Sequence, residues 1–127
     1  MSLVPIREFR PKYAAYVLLA ATMAVSIPII RAHTELVSAM PAANSTVSAP
    51  KNVTIKFSGA LEAKFSKITV TDASGQPATK EVSTVGADAK VMSVALPALA
   101  PGVYTVHWVA VSTDSHRAQG EYKFTVT

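Results

Sequence analysis

His33, Asp114 and His116 are the residues whose types and placement could do chemistry in this chain. Asp114 and His116 are two apart, with Ser115 between them. His33 follows Ala32, the small residue expected before a signal-peptide cut, and cleavage there makes it the first residue of the mature chain. An N-terminal histidine offers a metal two nitrogens, the freed α-amine and the imidazole, which close a chelate ring without help from any fold. The imidazole of His116 and the carboxylate of Asp114 bring the set to three nitrogens and one oxygen, which suits Cu(II) in a square or tetragonal plane. A free α-amine has a pKa of about 7.7–8.0, so copper displaces a proton from it near neutrality. Taken alone, Asp-Ser-His reads as a solvated turn. In an extended segment the spacing of two would point both side chains the same way.

His33 stands 81 positions before Asp114 and 83 before His116. Only a fold that returns its last long strand beside its first residue can join them. The residues ahead of His33 read as a leader, 1–32, outside the mature domain, 33–127. Arg7, Arg10 and Lys12 form a basic start, residues 14–30 carry no charge, and Arg31-Ala32 follows. That is the order of a secretory signal, and its apolar run sits at the short limit of a membrane span.

The leader also accounts for the basic pI of about 9.5. The whole chain has 12 Lys+Arg and 8 Asp+Glu. Without Arg7, Arg10, Lys12, Arg31 and Glu8, the mature part keeps eight basic and seven acidic residues, hence a net charge of +1. That balance, with no basic cluster interleaved with aromatics, argues against nucleic acid as a partner. The chain has no cysteine. This excludes a blue-copper centre, thiolate zinc sites and iron–sulfur clusters, and leaves an exported domain to hold itself by packing alone.

After His33, apolar and polar residues alternate with a period of two, the mark of half-buried strands. The runs are residues 52–58, 67–71, 91–96, 102–111 and 121–126, with weaker ones at 33–38 and 80–84. Turn signals separate them at residues 41–50, at Ser74-Gly75-Gln76-Pro77 and at Ala100-Pro101-Gly102. Residues 59–66 could hold a short helical turn. About seven short strands in one small domain predict an all-β, Greek-key β-sandwich of Ig-like form. On the strand at 102–111, Tyr104 and Trp108 share one face as core anchors. His107 points the other way, as an exposed strand histidine without a ligand role. Met92 is expected in packing.

The ordered set of segments resembles a known family. His33-Thr34-Glu35-Leu36-Val37-Ser38-Ala39-Met40-Pro41-Ala42 is similar to the opening of mature CopC-type periplasmic copper-binding proteins. Phe57-Ser58, Gly102-x-Tyr104-x-Val106-x-Trp108, Val111-Ser112-x-Asp114-x-His116, Gly120 and Phe124-Thr125-Val126 resemble further segments of that family, in order along the whole mature domain. The resemblance implies a cupredoxin-like β-barrel or sandwich that binds Cu(II) outside the cytoplasm, with His33, Asp114 and His116 as ligands. It implies a copper carrier or buffer in copper homeostasis and resistance that exchanges its metal with a CopD-like membrane protein. Two departures stand out. Some members place a Glu shortly after Phe-Ser, where Gly59-Ala60 stand here. Some carry a methionine-rich loop for Cu(I), whereas the mature part here has only Met40 and Met92. The resemblance therefore points to the Cu(II)-only type.

Two readings from other classes use the same residues. A histidine brace with a second histidine also serves copper oxygenases that cut polysaccharides, but 95 residues leave little room for a substrate platform. An Ig-like structural domain with incidental histidines is the other. No glycine-flanked nucleophile elbow, Ser-His-Asp order or glycine-rich phosphate loop is present. The expectation is a monomeric, non-enzymatic periplasmic protein holding one Cu(II) per mature domain.

Overall fold

The computed structural model describes residues 2–3 and 34–127, so His33 and the expected leader lie outside the described residues. Eight strands follow in chain order: β1 Leu36–Met40, β2 Thr46–Val47, β3 Asn52–Phe57, β4 Lys67–Thr71, β5 Thr84–Val85, β6 Val91–Ala95, β7 Gly102–Val111 and β8 Arg117–Val126. They form two four-stranded sheets, ordered β1-β3-β6-β5 and β2-β8-β7-β4. The chain crosses between sheets after β1, β2, β3, β4 and β6, giving a Greek-key, cupredoxin-like sandwich without a helix among the described residues.

Alternation decides which side of each strand is buried. Val53, Ile55 and Phe57 on β3 are fully buried, while Asn52 and Lys56 on the opposite face are exposed and Thr54 is half-buried. Ile68 and Val70, Met92 and Val94, Tyr104, Val106 and Ala110, and Phe124 and Val126 complete one core between the inner faces. A one-residue slip of any strand would turn this set to water, so burial itself fixes the register. Met92 is core, as expected. Tyr104 is also core: its ring stacks on Phe124 at 5.8 Å, and its hydroxyl donates to the Ala100 carbonyl at 2.7 Å. Trp108 is only half-buried. It meets Phe57 edge-on at 5.3 Å and lies against Gly120, its cross-strand partner. A Cβ at position 120 would come within 2.7 Å of the indole, so the close approach requires glycine there.

β2, the one strand beyond the expected seven, and β5 have only two residues each, too short to show a period. β2 falls inside the stretch expected to be a turn, and is held by parallel pairing of Thr46 and Val47 with Thr125 and Val126. The weak strand expected at 80–84 is reduced to Thr84–Val85, and the first strand starts later, at Leu36. β8 begins at Arg117, four residues before its alternation becomes visible, because Ala118 and Gly120 occupy the inner positions of its first half.

Residues 59–66 make one hydrogen-bonded turn and no helix. The amides of Phe65 and Ser66 both donate to the Glu62 carbonyl, at 3.2 and 3.1 Å. The segment continues the edge of the second sheet where β4 has not yet begun. Glu62 N donates to the Val111 carbonyl at 2.7 Å, Leu61 bridges Ser112, and the buried Ser66 hydroxyl accepts from Val111 N at 3.0 Å. The end of β7 is thereby fixed on the side away from β8.

Candidate metal centre

β7 and β8 pair along their whole length, from Gly102 with Val126 to Val111 with Arg117. The loop closing this hairpin carries Asp114 and His116. Ser112 N donates to the His116 carbonyl at 2.9 Å, and Ser115 N donates to the Ser112 carbonyl at 2.9 Å. Ser115 has φ 70°. These are the marks of a three-residue hairpin loop with a left-handed third position. The segment is thus a turn, as the composition of Asp-Ser-His suggests, and not the extended piece in which a spacing of two aligns side chains. The turn brings the pair together by another route: His116 Nδ1 lies 3.0 Å from Asp114 Oδ2.

Left-handed backbone costs a non-glycine residue about 1–2 kcal/mol. Replacing Ser115 by glycine relieves this, while the freer unfolded chain returns about 0.4–1 kcal/mol of it. Ser115→Gly is expected to raise the unfolding free energy by up to about 1 kcal/mol, read as a higher urea midpoint at unchanged slope.

Ser112 is buried beneath the loop at 5% exposure. Its hydroxyl donates to Asp114 Oδ1, and the His116 amide donates to the same oxygen at 3.3 Å. The Ser112 hydroxyl, followed by the contacts of His116, holds the Asp114 carboxyl down from 3.8 to about 2. Because the folded value lies below the unfolded one, the ionised carboxylate supports the fold above about pH 4, and that support is lost as pH falls through about 2. A carboxyl-carbon NMR titration of the metal-free domain should place the Asp114 midpoint near 2. A midpoint near 3.8 would mean that the Ser112 contact is not maintained in solution.

Thr34, the first described residue of the domain, is buried at 5% exposure. It packs over Gly59, where a Cβ would meet its hydroxyl at 3.0 Å. The chain is pinned there because Glu35 N donates to Ser58 Oγ, and Ser58 N to the Glu35 carbonyl, both at 2.9 Å. Thr113 N donates to the Ala60 carbonyl at 3.1 Å, tying the hairpin loop to the same segment. A cleft of about 280 Å³ results, lined by Thr34, Ser58, Gly59, Ala60, Ser112, Thr113 and Asp114. The residue after His33 and Asp114 therefore line one cleft. The position of His33 itself lies outside the described residues.

His107 sits elsewhere, on the outer face of β7. Its Nδ1 is 3.2 Å from Glu121 Oε2, and its Nε2 is 3.2 Å from Thr71 Oγ1. Among the described residues, no group of three or more His, Cys, Asp or Glu side chains converges to hold a metal. Sequence reasoning missed Ser112, Thr34 and Gly59 as parts of the site. The available signal was a serine two residues before an aspartate at the end of a long strand, a spacing that favours side-chain hydrogen bonds within a turn.

Fold and site together define a small two-sheet β-sandwich with a carboxylate–imidazole pair on its longest hairpin. The family model described as the CopC domain matches residues 36–127, and the chain belongs to that family. Copper resistance protein C of Escherichia coli is 43% identical over 105 residues, covering 75% of this chain and 82% of the relative. Protein YobA of Escherichia coli (strain K12) is 36% identical over 118 residues, covering 87% and 92%. Among solved structures, CopC from Methylosinus trichosporium OB3b superposes with a TM-score of 0.70 at 36% identity, over 74% of this chain and 93% of that one. PcoC, a methionine-rich copper resistance protein from Escherichia coli, superposes with a TM-score of 0.65 at 40% identity, over 76% and 100%.

Proposed function

We propose that this protein is a periplasmic Cu(II) carrier of copper resistance, active after cleavage between Ala32 and His33. The mature domain holds one Cu(II) between the α-amine and imidazole of His33 and the imidazole of His116, while Asp114 hydrogen-bonds the His116 ring and orients it. The observation that carries this reading is the cleft lined both by buried Thr34, the residue after His33, and by Asp114 of the hairpin loop. The copper-resistance relatives support the choice of metal.

The residues present fit Cu(II). Asp114 Oδ2 engages Nδ1 of His116, which leaves Nε2 of a ring whose side chain is 65% exposed as the outward donor. A carboxylate that orients a ligating imidazole in this way fixes its tautomer and raises its basicity. Softer chemistry for Cu(I) finds no counterpart among the described residues. Met92 is fully buried in the core, Met40 is 75% exposed on β1, and β3 runs between their strands. The work of such a site is binding and release. Its place on an exposed loop at one end of the sandwich suits transfer to a CopD-like membrane protein.

The test is a Cu(II) titration of the mature domain, 33–127, beside His33→Ala and His116→Ala, followed by EPR. The native domain should take up one Cu(II) with a nitrogen-rich tetragonal signal. Each variant should bind at least about 100-fold more weakly, since loss of an outer-shell partner alone costs about 10–100-fold. Equal binding by all three would reject the site.

A further inference from the structure

We propose that Ser112 is the positioning residue of this site: its hydroxyl fixes one oxygen of Asp114, so that the other holds His116 by Nδ1 and leaves Nε2 open. The metal part of this inference rests on the copper reading above. The control of the imidazole by Ser112 does not.

The pair cannot hold itself in place. The side chains of Asp114 and His116 are 46% and 65% exposed, and exposed ion pairs contribute only about 0–1 kcal/mol. Water competes for both partners, and each side chain has rotamers to lose by pairing. Ser112 differs in being buried and anchored. Its amide donates to the His116 carbonyl, its carbonyl accepts from Ser115 N, and it bridges Leu61 on the neighbouring segment. The preceding residue, Val111, is fixed through Glu62 N and the Ser66 hydroxyl.

A serine hydroxyl has one proton to donate. The contact with Asp114 Oδ1 is the shorter of its two acceptor contacts, the other being the His116 carbonyl at 3.2 Å. A hydroxyl donating to a carboxylate makes a charge-assisted bond, stronger than a neutral one. Oδ1 also accepts from His116 N at 3.3 Å. With Oδ1 held from below by two donors, Oδ2 is turned toward the imidazole. A neutral ring that donates through Nδ1 carries its lone pair on Nε2, the state a metal needs.

The experiment measures ring-nitrogen NMR shifts of His116 in the metal-free mature domain at about pH 8, above the ordinary histidine range. The native protein should show His116 protonated on Nδ1. Ser112→Ala should shift the ring toward the Nε2-protonated form, and Ser112→Thr, which keeps the hydroxyl, should restore the native pattern. In parallel, Cu(II) affinity should fall about 10–100-fold in Ser112→Ala and recover in Ser112→Thr. Ser112→Cys fills the same space with a weak donor and should repeat the alanine result if the alanine variant does not fold. An unchanged tautomer in the folded alanine or cysteine variant overturns the role of Ser112. Undiminished Cu(II) binding by His116→Ala overturns the copper reading instead, and leaves the tautomer result standing.

Discussion

A domain that starts one residue ahead of His33 should bind Cu(II) at least about 100-fold more weakly than one that starts at His33, beyond the range expected for losing an outer-shell partner. The added residue turns the α-amine into a peptide nitrogen, which is not basic and carries no free lone pair for the metal. One donor is lost, and with it the chelate ring of amine and imidazole. The rest of the site should be untouched. Asp114, His116 and Ser112 belong to the β7–β8 hairpin, whose loop is closed by its own hydrogen bonds. Thr34 is held over Gly59 by contacts that begin after His33. A pair of proteins, one beginning at His33 and one with a single preceding alanine whose own amine is acetylated, gives the comparison. Competition titration measures the affinities, and unchanged thermal unfolding of the metal-free forms shows that the fold is not the cause. The native protein should also lose affinity with falling pH below about 7.7–8.0, where the amine takes up its proton. The extended form should lack that component. Equal affinities would mean that the two imidazoles suffice, and that cleavage has no part in metal binding.

The sandwich was legible because its strands are half-buried, and half-burial writes a period of two into the residues. Val53, Ile55 and Phe57 announce β3 without any knowledge of its partners. β2 was not legible, since two residues show no period and its existence depends on Thr125 and Val126, far along the chain, while β5 showed only as the weak run at 80–84. The start of β8 was hidden because Gly120 stands where an apolar side chain would mark the inner face. It stands there to clear the indole of Trp108, a reason visible only in three dimensions. At the site, the residue types of Asp114 and His116 pointed to metal chemistry from their spacing. Their actual geometry depends on a left-handed Ser115 and a buried Ser112. Neither hydrogen-bond direction nor backbone hand is written in a spacing of two.

Phe57→Ala should destabilise the metal-free domain by about 3–5 kcal/mol, the range for emptying a buried aromatic site. That is a large part of the roughly 5–15 kcal/mol that holds a typical domain folded. Phe57 is fully buried at the end of β3, its ring edge-on to Trp108 and its amide bonded to the Lys90 carbonyl at 2.9 Å. A domain without disulfides has no covalent link to offset such a cavity. The contrast is Phe65, 65% exposed on the 59–66 turn, where alanine should change stability by no more than about 0.5 kcal/mol. Urea unfolding of both variants measures the difference, and comparable losses would contradict the placement of the core. The same substitution probes the connection between core and site. Phe57 leads directly into Ser58 and Gly59, which wall the cleft. Copper that binds only the folded state stabilises it by about 2.7 kcal/mol at a free concentration one hundred times its dissociation constant. Cu(II) should therefore raise the urea midpoint of Phe57→Ala and fail to raise that of Phe57→Ala combined with His116→Ala. A rise in both would locate the metal away from the hairpin loop.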